Sequence, residues 1–100
     1  MPASNPMAGS PYRGSPMGYQ QIAAATLAAA TALTIPAGAT YAVLEAETAN
    51  VRLRDDGTAV TTSTGIVLTA SVPFTYTGDL SKVSVIAASG SPLLNVLYYR

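Results

Sequence analysis

Between residues 40 and 57 the chain reads TYAVLEAETANVRLRDDG, a stretch whose chemistry alternates with a period of two. Tyr41, Val43, Glu45 and Glu47 alternate with Ala42, Leu44 and Ala46; Val51 and Leu53 then alternate with Arg52 and Arg54 before Asp55-Asp56-Gly57 ends the run. A repeat of two sends successive side chains to opposite faces of an extended strand, whereas a helical face recurs about every 3.6 residues. Two strands are therefore expected, each with one face in a core. Thr48-Ala49-Asn50 has the length of a hairpin loop, so the spacing predicts an antiparallel hairpin.

The rest of the chain after this stretch is punctuated in the same manner. Asp56-Gly57 is a turn signal and residues 58–64 form a polar loop. GIVLT at 65–69 reads as a short apolar strand, and Phe74-Thr75-Tyr76 as another with both rings on one face. Thr77-Gly78-Asp79 turns the chain into KVSVIA at 82–87, where Val83, Val85 and Ala87 alternate with Ser84 and Ile86. Ser89-Gly90-Ser91-Pro92 breaks that run. LLNVLYY at 93–99 closes the chain with bulky residues on both faces, as expected of a central strand or one covered by another subunit.

The run IAAATLAAATAL at 22–33 is the ambiguous segment. Alanine is the strongest helix former, which favours about three turns of helix. Thr26, Thr31 and Thr34 interrupt the run, no ion pair supports it, and Leu33-Thr34-Ile35 leads straight into Pro36-Ala37-Gly38, so the favoured reading is a strand over 30–35. About a dozen apolar residues cannot span a bilayer that needs about 20. A signal peptide is disfavoured because a Pro/Gly segment, not a charged one, precedes the run.

The sum is about six or seven short strands with turn signals roughly every eight to twelve residues. That pattern predicts an all-β fold, a small antiparallel β-sandwich or jelly-roll-like barrel with Greek-key connections, over residues 22–100.

Residues 1–21 differ from this body. Pro2, Pro6, Pro11 and Pro16 alternate with Gly9, Gly14 and Gly18, and PMAGS, PYRGS and PMG recur at about five-residue intervals. Such a segment cannot build a core, and composition of this kind usually means a disordered tail. Yet it carries Met7, Tyr12, Met17 and Tyr19 with a single charge, Arg13, where a solvated tail is rich in charge. The favoured reading over residues 1–21 is therefore an extended arm that orders on a neighbouring subunit, with these five residues as its contacts. Proline favours that reading, since a chain already restricted when free loses less entropy on docking.

Composition sets limits on chemistry. The 100 residues carry five Lys or Arg against five Asp or Glu, so no electrostatic footprint for nucleic acid or an acidic membrane exists. There is neither Cys nor His, which removes disulfides, thiolate metal sites and the commonest general base. The 49% apolar content rests largely on Ala and Val. Small side chains bury little area at ~25 cal/mol per Å², and a chain this short buries only about 60% of its unfolded surface. A partner surface would widen that margin, and a weakly charged chain is poorly protected against association.

No catalytic or cofactor motif is present. Asp55-Asp56-Gly57 lacks the alternating oxygen ligands and the later glutamate of a calcium loop, and the serines and threonines have no histidine to activate them. Arg52 and Arg54 share a strand face, read first as a solvated face paired with Glu45 and Glu47 across the hairpin and second as forks to carboxylates of another subunit. Tyr41, Tyr76, Tyr98 and Tyr99 read as core edges or interface anchors. Met7, Tyr12, Arg13, Met17, Tyr19, Arg52, Arg54, Tyr98 and Tyr99 are the candidate protein-interface residues. Catalytic, cofactor and metal residues are expected to be none.

From residue 33 to 100 the chain resembles small virion proteins of tailed bacteriophages. The resemblance rests on the IPAGA turn at 35–39, the NVRLRDDGT stretch at 50–58, the YTGDL turn at 76–80 and the terminal LNVLYY. These are turn and strand markers, and the leader lies outside them. The resemblance implies a non-enzymatic structural protein, foremost a capsid cement or decoration protein on the head surface, made in the bacterial cytoplasm. Its expected partners are the major capsid protein and further copies of itself, in a trimer or another symmetric cluster. The alternatives are a connector, tail or fibre-base component, or a displayed carbohydrate- or host-binding module in which tyrosines stack on sugars.

Overall fold

The computed structural model describes residues 14–100. Eight strands run β1 (Pro16–Ile22), β2 (Thr31–Ala32), β3 (Tyr41–Glu47), β4 (Val51–Arg54), β5 (Ile66–Leu68), β6 (Phe74–Tyr76), β7 (Ser84–Ala87) and β8 (Leu93–Tyr99). They form two four-stranded sheets of order β1-β8-β3-β6 and β2-β7-β4-β5, with every pairing antiparallel. Strand one pairs with eight, two with seven, three with six and four with five. The chain is thus a long double-stranded ribbon, folded at the β4–β5 loop and rolled so that successive strands alternate between sheets everywhere except at that fold, where β4 and β5 pair. This nested pairing is the jelly-roll form of the small β-sandwich.

The alternation seen in the sequence sets the inner faces. Ala42, Leu44 and Ala46 of β3 and Leu94, Val96 and Tyr98 of β8 are buried on one side, with Val51 and Leu53 of β4 and Val85 of β7 on the other. The expected hairpin of β3 with β4 does not form: β3 pairs with β6 and β8, β4 with β5 and β7. Thr48-Ala49-Asn50 carries the chain from one sheet to the other, with Thr48 at φ 78. Asn50 fixes this arch by accepting from Ala70 N through its side chain at 2.9 Å and from Ala88 N through its carbonyl at 2.9 Å. A period of two dictates which face is buried but not which strand lies alongside, and here the two inner faces oppose one another across the core.

The Ala-rich run resolves into a 3-10 turn over Thr26–Ala28 and the short β2. Leu27 is fully buried there, while the flanking Ala25, Ala28, Ala29 and Ala30 are exposed. The Thr31 hydroxyl donates to the Thr26 and Ala29 carbonyls at 3.0 and 2.9 Å, satisfying groups that a continuing helix would have used. A helix this short is marginal without an apolar stripe to bury, so one anchored leucine decides the conformation.

The boundary expected between residues 21 and 22 falls inside β1. Pro16–Ile22 pairs with β8 of the same chain, and Ser15 and Arg100 exchange backbone hydrogen bonds at 2.9 Å. Pro16 is tolerated because β1 is an edge strand, where one side of the backbone needs no ladder partner. The leader as an arm therefore concerns residues 1–13, which lie outside the described residues, as do the candidate contacts Met7, Tyr12 and Arg13.

Candidate functional site

Two concave regions stand out, one at an edge of the sandwich and one on a sheet face. The first, about 390 Å³, opens where β5 and β6, the outermost strands of their sheets on one side, come together. Leu53, Gly65, Ile66, Phe74 and Tyr76 line it, with Arg54, Asp55 and Asp56 at its rim. Tyr76 is buried, and its hydroxyl donates to Asp55 Oδ2 at 2.7 Å and to the Asp79 carbonyl at 3.2 Å. Burial, reinforced by the bond to Asp55, pushes the Tyr76 hydroxyl up to about 12, so it stays protonated as a donor. Arg54 Nε donates to Asp56 Oδ1 at 2.7 Å. That bond raises the Arg54 pKa and lowers that of Asp56, and the exposed pair shapes the rim more than it stabilises the fold.

The strands flanking this edge are uncharged. Between Asp56 and Asp79 the sequence has no Asp, Glu, Lys or Arg. Ile66, Val67 and Val72 are exposed here at 51%, 44% and 52%.

The second region, about 420 Å³, lies on the outer face of the β1-β8-β3-β6 sheet. Tyr19 and Gln21 of β1, Asn95 and Leu97 of β8, and Val43, Glu45 and Glu47 of β3 line it, with Pro73 at one side. Asn95 is the hub. Its Oδ1 accepts from the Tyr19 hydroxyl at 2.6 Å and Gln21 Nε2 at 3.1 Å, and its Nδ2 donates to Glu47 Oε2 at 2.6 Å. Farther along the same face Tyr41 and Tyr99, opposed in the β3–β8 register, stack with centroids 5.3 Å apart.

The candidate interface residues are thus dispersed. Tyr19 is exposed on the sheet face and Tyr99 half-buried against Tyr41. Met17 packs against the core of its own chain. Tyr98 is 1% exposed, points inward and donates to Gln20 Oε1 at 2.6 Å, which corrects its expected place at an interface. Tyr98 sits one step along β8 from Tyr99, and the period of two forces the neighbours to opposite faces. Arg52 and Arg54 do not meet Glu45 and Glu47, which belong to the other sheet. Arg52 instead donates to the Thr62 and Gly65 carbonyls at 2.9 and 2.7 Å. Gln21 and Asn95 were not singled out from the sequence, and Glu47 was expected to face Arg52 and Arg54; Asn95 in the middle of an otherwise apolar strand was the available signal.

Among the described residues no group of three His, Cys, Asp or Glu side chains is placed to hold a metal ion. No helix among them is long and apolar enough to cross a membrane. No family model matches the sequence, and neither the curated proteins nor the solved structures contain a match to it.

Proposed function

We propose that the protein is a non-enzymatic structural component of a tailed-phage virion, a cement or decoration protein that stabilises the head by bridging subunits of the major capsid protein. The observation that carries this reading is the uncharged β5–β6 edge. Soluble β proteins protect such edges with charge, proline or a covering segment, because unpaired backbone groups next to apolar side chains recruit other chains. Here Ile66, Val67 and Val72 lie bare along 22 consecutive positions of the chain's charge-free stretch, if Gly57 is counted with residues 58–78. An edge of that kind suits a protein whose working state is assembled, with the strand edge closed by a neighbour in a symmetric cluster. The jelly roll is an architecture used in capsid domains, and the sequence resemblance of residues 33–100 supplies the virion context.

The test is the position and copy number of the protein in purified particles. Hundreds of copies distributed over the head fit the proposal. A single ring near the portal moves the protein to the connector or tail, and absence from particles removes the reading.

A further inference from the structure

The outer face of the β1-β8-β3-β6 sheet carries two adjacent rows of different chemistry. Tyr19, Leu97 and Val43 are aligned across β1, β8 and β3, and the neighbouring row is Gln21, Asn95 and Glu45. Rows two residues apart along a strand are separated by about 7 Å. An apolar shelf therefore runs beside a line of amide and carboxylate groups, with Glu47 extending the polar side. Tyr19 and Leu97 are exposed at 59% and 44%, large values for such side chains on a sheet face.

We propose that this face binds a neutral saccharide, whose ring rests on Tyr19, Leu97 and Val43 while its hydroxyls bond to Gln21, Glu45 and Glu47. Sugars offer the same pairing of surfaces: an apolar C–H face and an edge of hydroxyls that both donate and accept. Carboxylates are strong acceptors for hydroxyl donors. The lining contains two glutamates and no Lys or Arg, so uronates, sulfated sugars and nucleic acid phosphates are disfavoured by repulsion. A peptide adding as a strand is disfavoured because β8 and β3 are flanked on both sides in the sheet and leave no free ladder on this face.

The polar row is also ordered in advance. Asn95 spends its carbonyl on Tyr19 and Gln21 and its amide on Glu47, which holds all three in place while leaving Gln21 Oε1 and Glu47 Oε1 as acceptors for a ligand. Side chains already fixed lose less freedom on binding. A volume of about 420 Å³ falls within the range of small-ligand sites.

This site does not depend on where the protein sits in a particle, so its test is separate from particle occupancy. The full chain is titrated with neutral tetrasaccharides of glucose (α- and β-linked), mannose, galactose and N-acetylglucosamine, and with tetragalacturonate, while amide shifts are followed by NMR. At least one neutral sugar is expected to shift the amides of Tyr19, Gln21, Asn95 and Leu97, and Tyr19→Ala to weaken it about tenfold. Tyr19→Phe, which keeps the ring and loses the bond to Asn95, should fall between the two. The proposal is overturned if no neutral sugar acts at millimolar concentration, if the shifts centre on Ile66 and Phe74, or if tetragalacturonate binds as tightly. A peptide of residues 1–13 that shifts these amides where no sugar does would also overturn it and give the face to the leader.

Discussion

The Arg52 guanidinium donates from Nη1 to the Gly65 carbonyl at 2.7 Å, joining β4 to the residue just before β5. Its Nε holds the Thr62 carbonyl at 2.9 Å, so one side chain closes the loop at the fold of the whole ribbon. Beneath that clamp Val60 is buried at 2%, and its amide donates to Ser84 Oγ at 3.3 Å. Val60 and Ile86 are buried but stand apart from the main core cluster. Arg52→Ala should cost about 2 kcal/mol, the scale of hydrogen bonds to a charged group. Arg52→Lys should recover only part, because an ammonium lacks the planar fork whose separate nitrogens reach the two carbonyls. Urea midpoints measure the loss, and faster proteolysis at residues 61–64 would locate it in the loop.

Gly65 and Gly57 bracket this loop and predict opposite sensitivities. A Cβ on Gly65 would lie 2.8 Å from the Leu53 carbonyl oxygen and 2.9 Å from Val60 Cγ2, at φ +116. The backbone oxygen cannot give way, so Gly65→Ala should destabilise by about 2 kcal/mol or more. Gly57, at φ +86, has open space around its Cβ position, and Gly57→Ala should cost only about 1 kcal/mol of backbone strain. Equal losses in thermal melts of the two variants would contradict the packing of the loop against β4.

Truncation distinguishes leader from body. A chain beginning at Gly14 keeps β1, the Ser15–Arg100 pair and the Gln20–Tyr98 bond, and should unfold at the same urea concentration as the full chain. A chain beginning at Ile22 uncovers the edge of β8, strips Met17 from the core and leaves the buried Tyr98 hydroxyl without its acceptor. That loss should exceed about 2 kcal/mol from the unpaired group and lost packing together.

What the sequence revealed follows from what a local pattern can encode. The alternation over 41–47 and 51–54 set Ala42, Leu44, Ala46, Val51 and Leu53 apart from the charged faces, and of the two readings of residues 93–99, a central strand or one covered by another subunit, β8 is internal to its sheet. The partner of each strand was hidden, because a hairpin and an arch between sheets bury the same alternate residues. The deciding contacts, Asn50 to Ala70 and Ala88, join residues about 20 and 40 positions apart and leave no periodic trace. The Asn95 network was hidden likewise: Tyr19, Gln21 and Glu47 become its neighbours only once β1 and β3 flank β8. Pro16, Gly14 and Gly18 marked the start of the chain as coreless, yet Met17 and Ile22 within or next to that segment supply enough apolar anchoring to hold an edge strand.

Stability should fall at both ends of the pH scale for different reasons. Burial holds the Tyr76 and Tyr98 hydroxyls at about 12, against an ordinary value of 10.0. A folded pKa raised in this way gives stability that is complete below pH 10 and is lost as pH rises toward 12, since the unfolded chain releases those protons first. In acid, the Asp79 carboxylate is held low chiefly by the Ser81 hydroxyl and also by its amide, and Asp56 chiefly by Arg54. Their contribution is present above the ordinary value of 3.8 and is lost as pH falls below it. Urea midpoints from pH 3 to 12 should therefore show a plateau with two declines, and Tyr98→Phe should flatten the alkaline one. An alkaline limb unchanged in both Tyr76→Phe and Tyr98→Phe would contradict this assignment.

The uncharged edge yields the most direct test of assembly. Ile66 and Val72 are each about half exposed, so replacing both with lysine removes little buried surface. Ile66 also lines the cleft whose rim holds Asp55 and Asp56, where a lysine ammonium finds opposite charge. The isolated Ile66→Lys, Val72→Lys chain should thus remain within about 1 kcal/mol of the parent, since exposed substitutions usually change stability by ~0.5 kcal/mol or less each. One cation on β5 and one in the loop leading to β6 should nonetheless repel any chain seeking to pair there, as charged edges do in natural sheets. The self-association constant of the purified protein, read by sedimentation, and its affinity for particles should both fall roughly tenfold or more, a change equal to about 1.4 kcal/mol of contact energy. Full assembly by the doubly substituted chain would move the working interface away from β5 and β6.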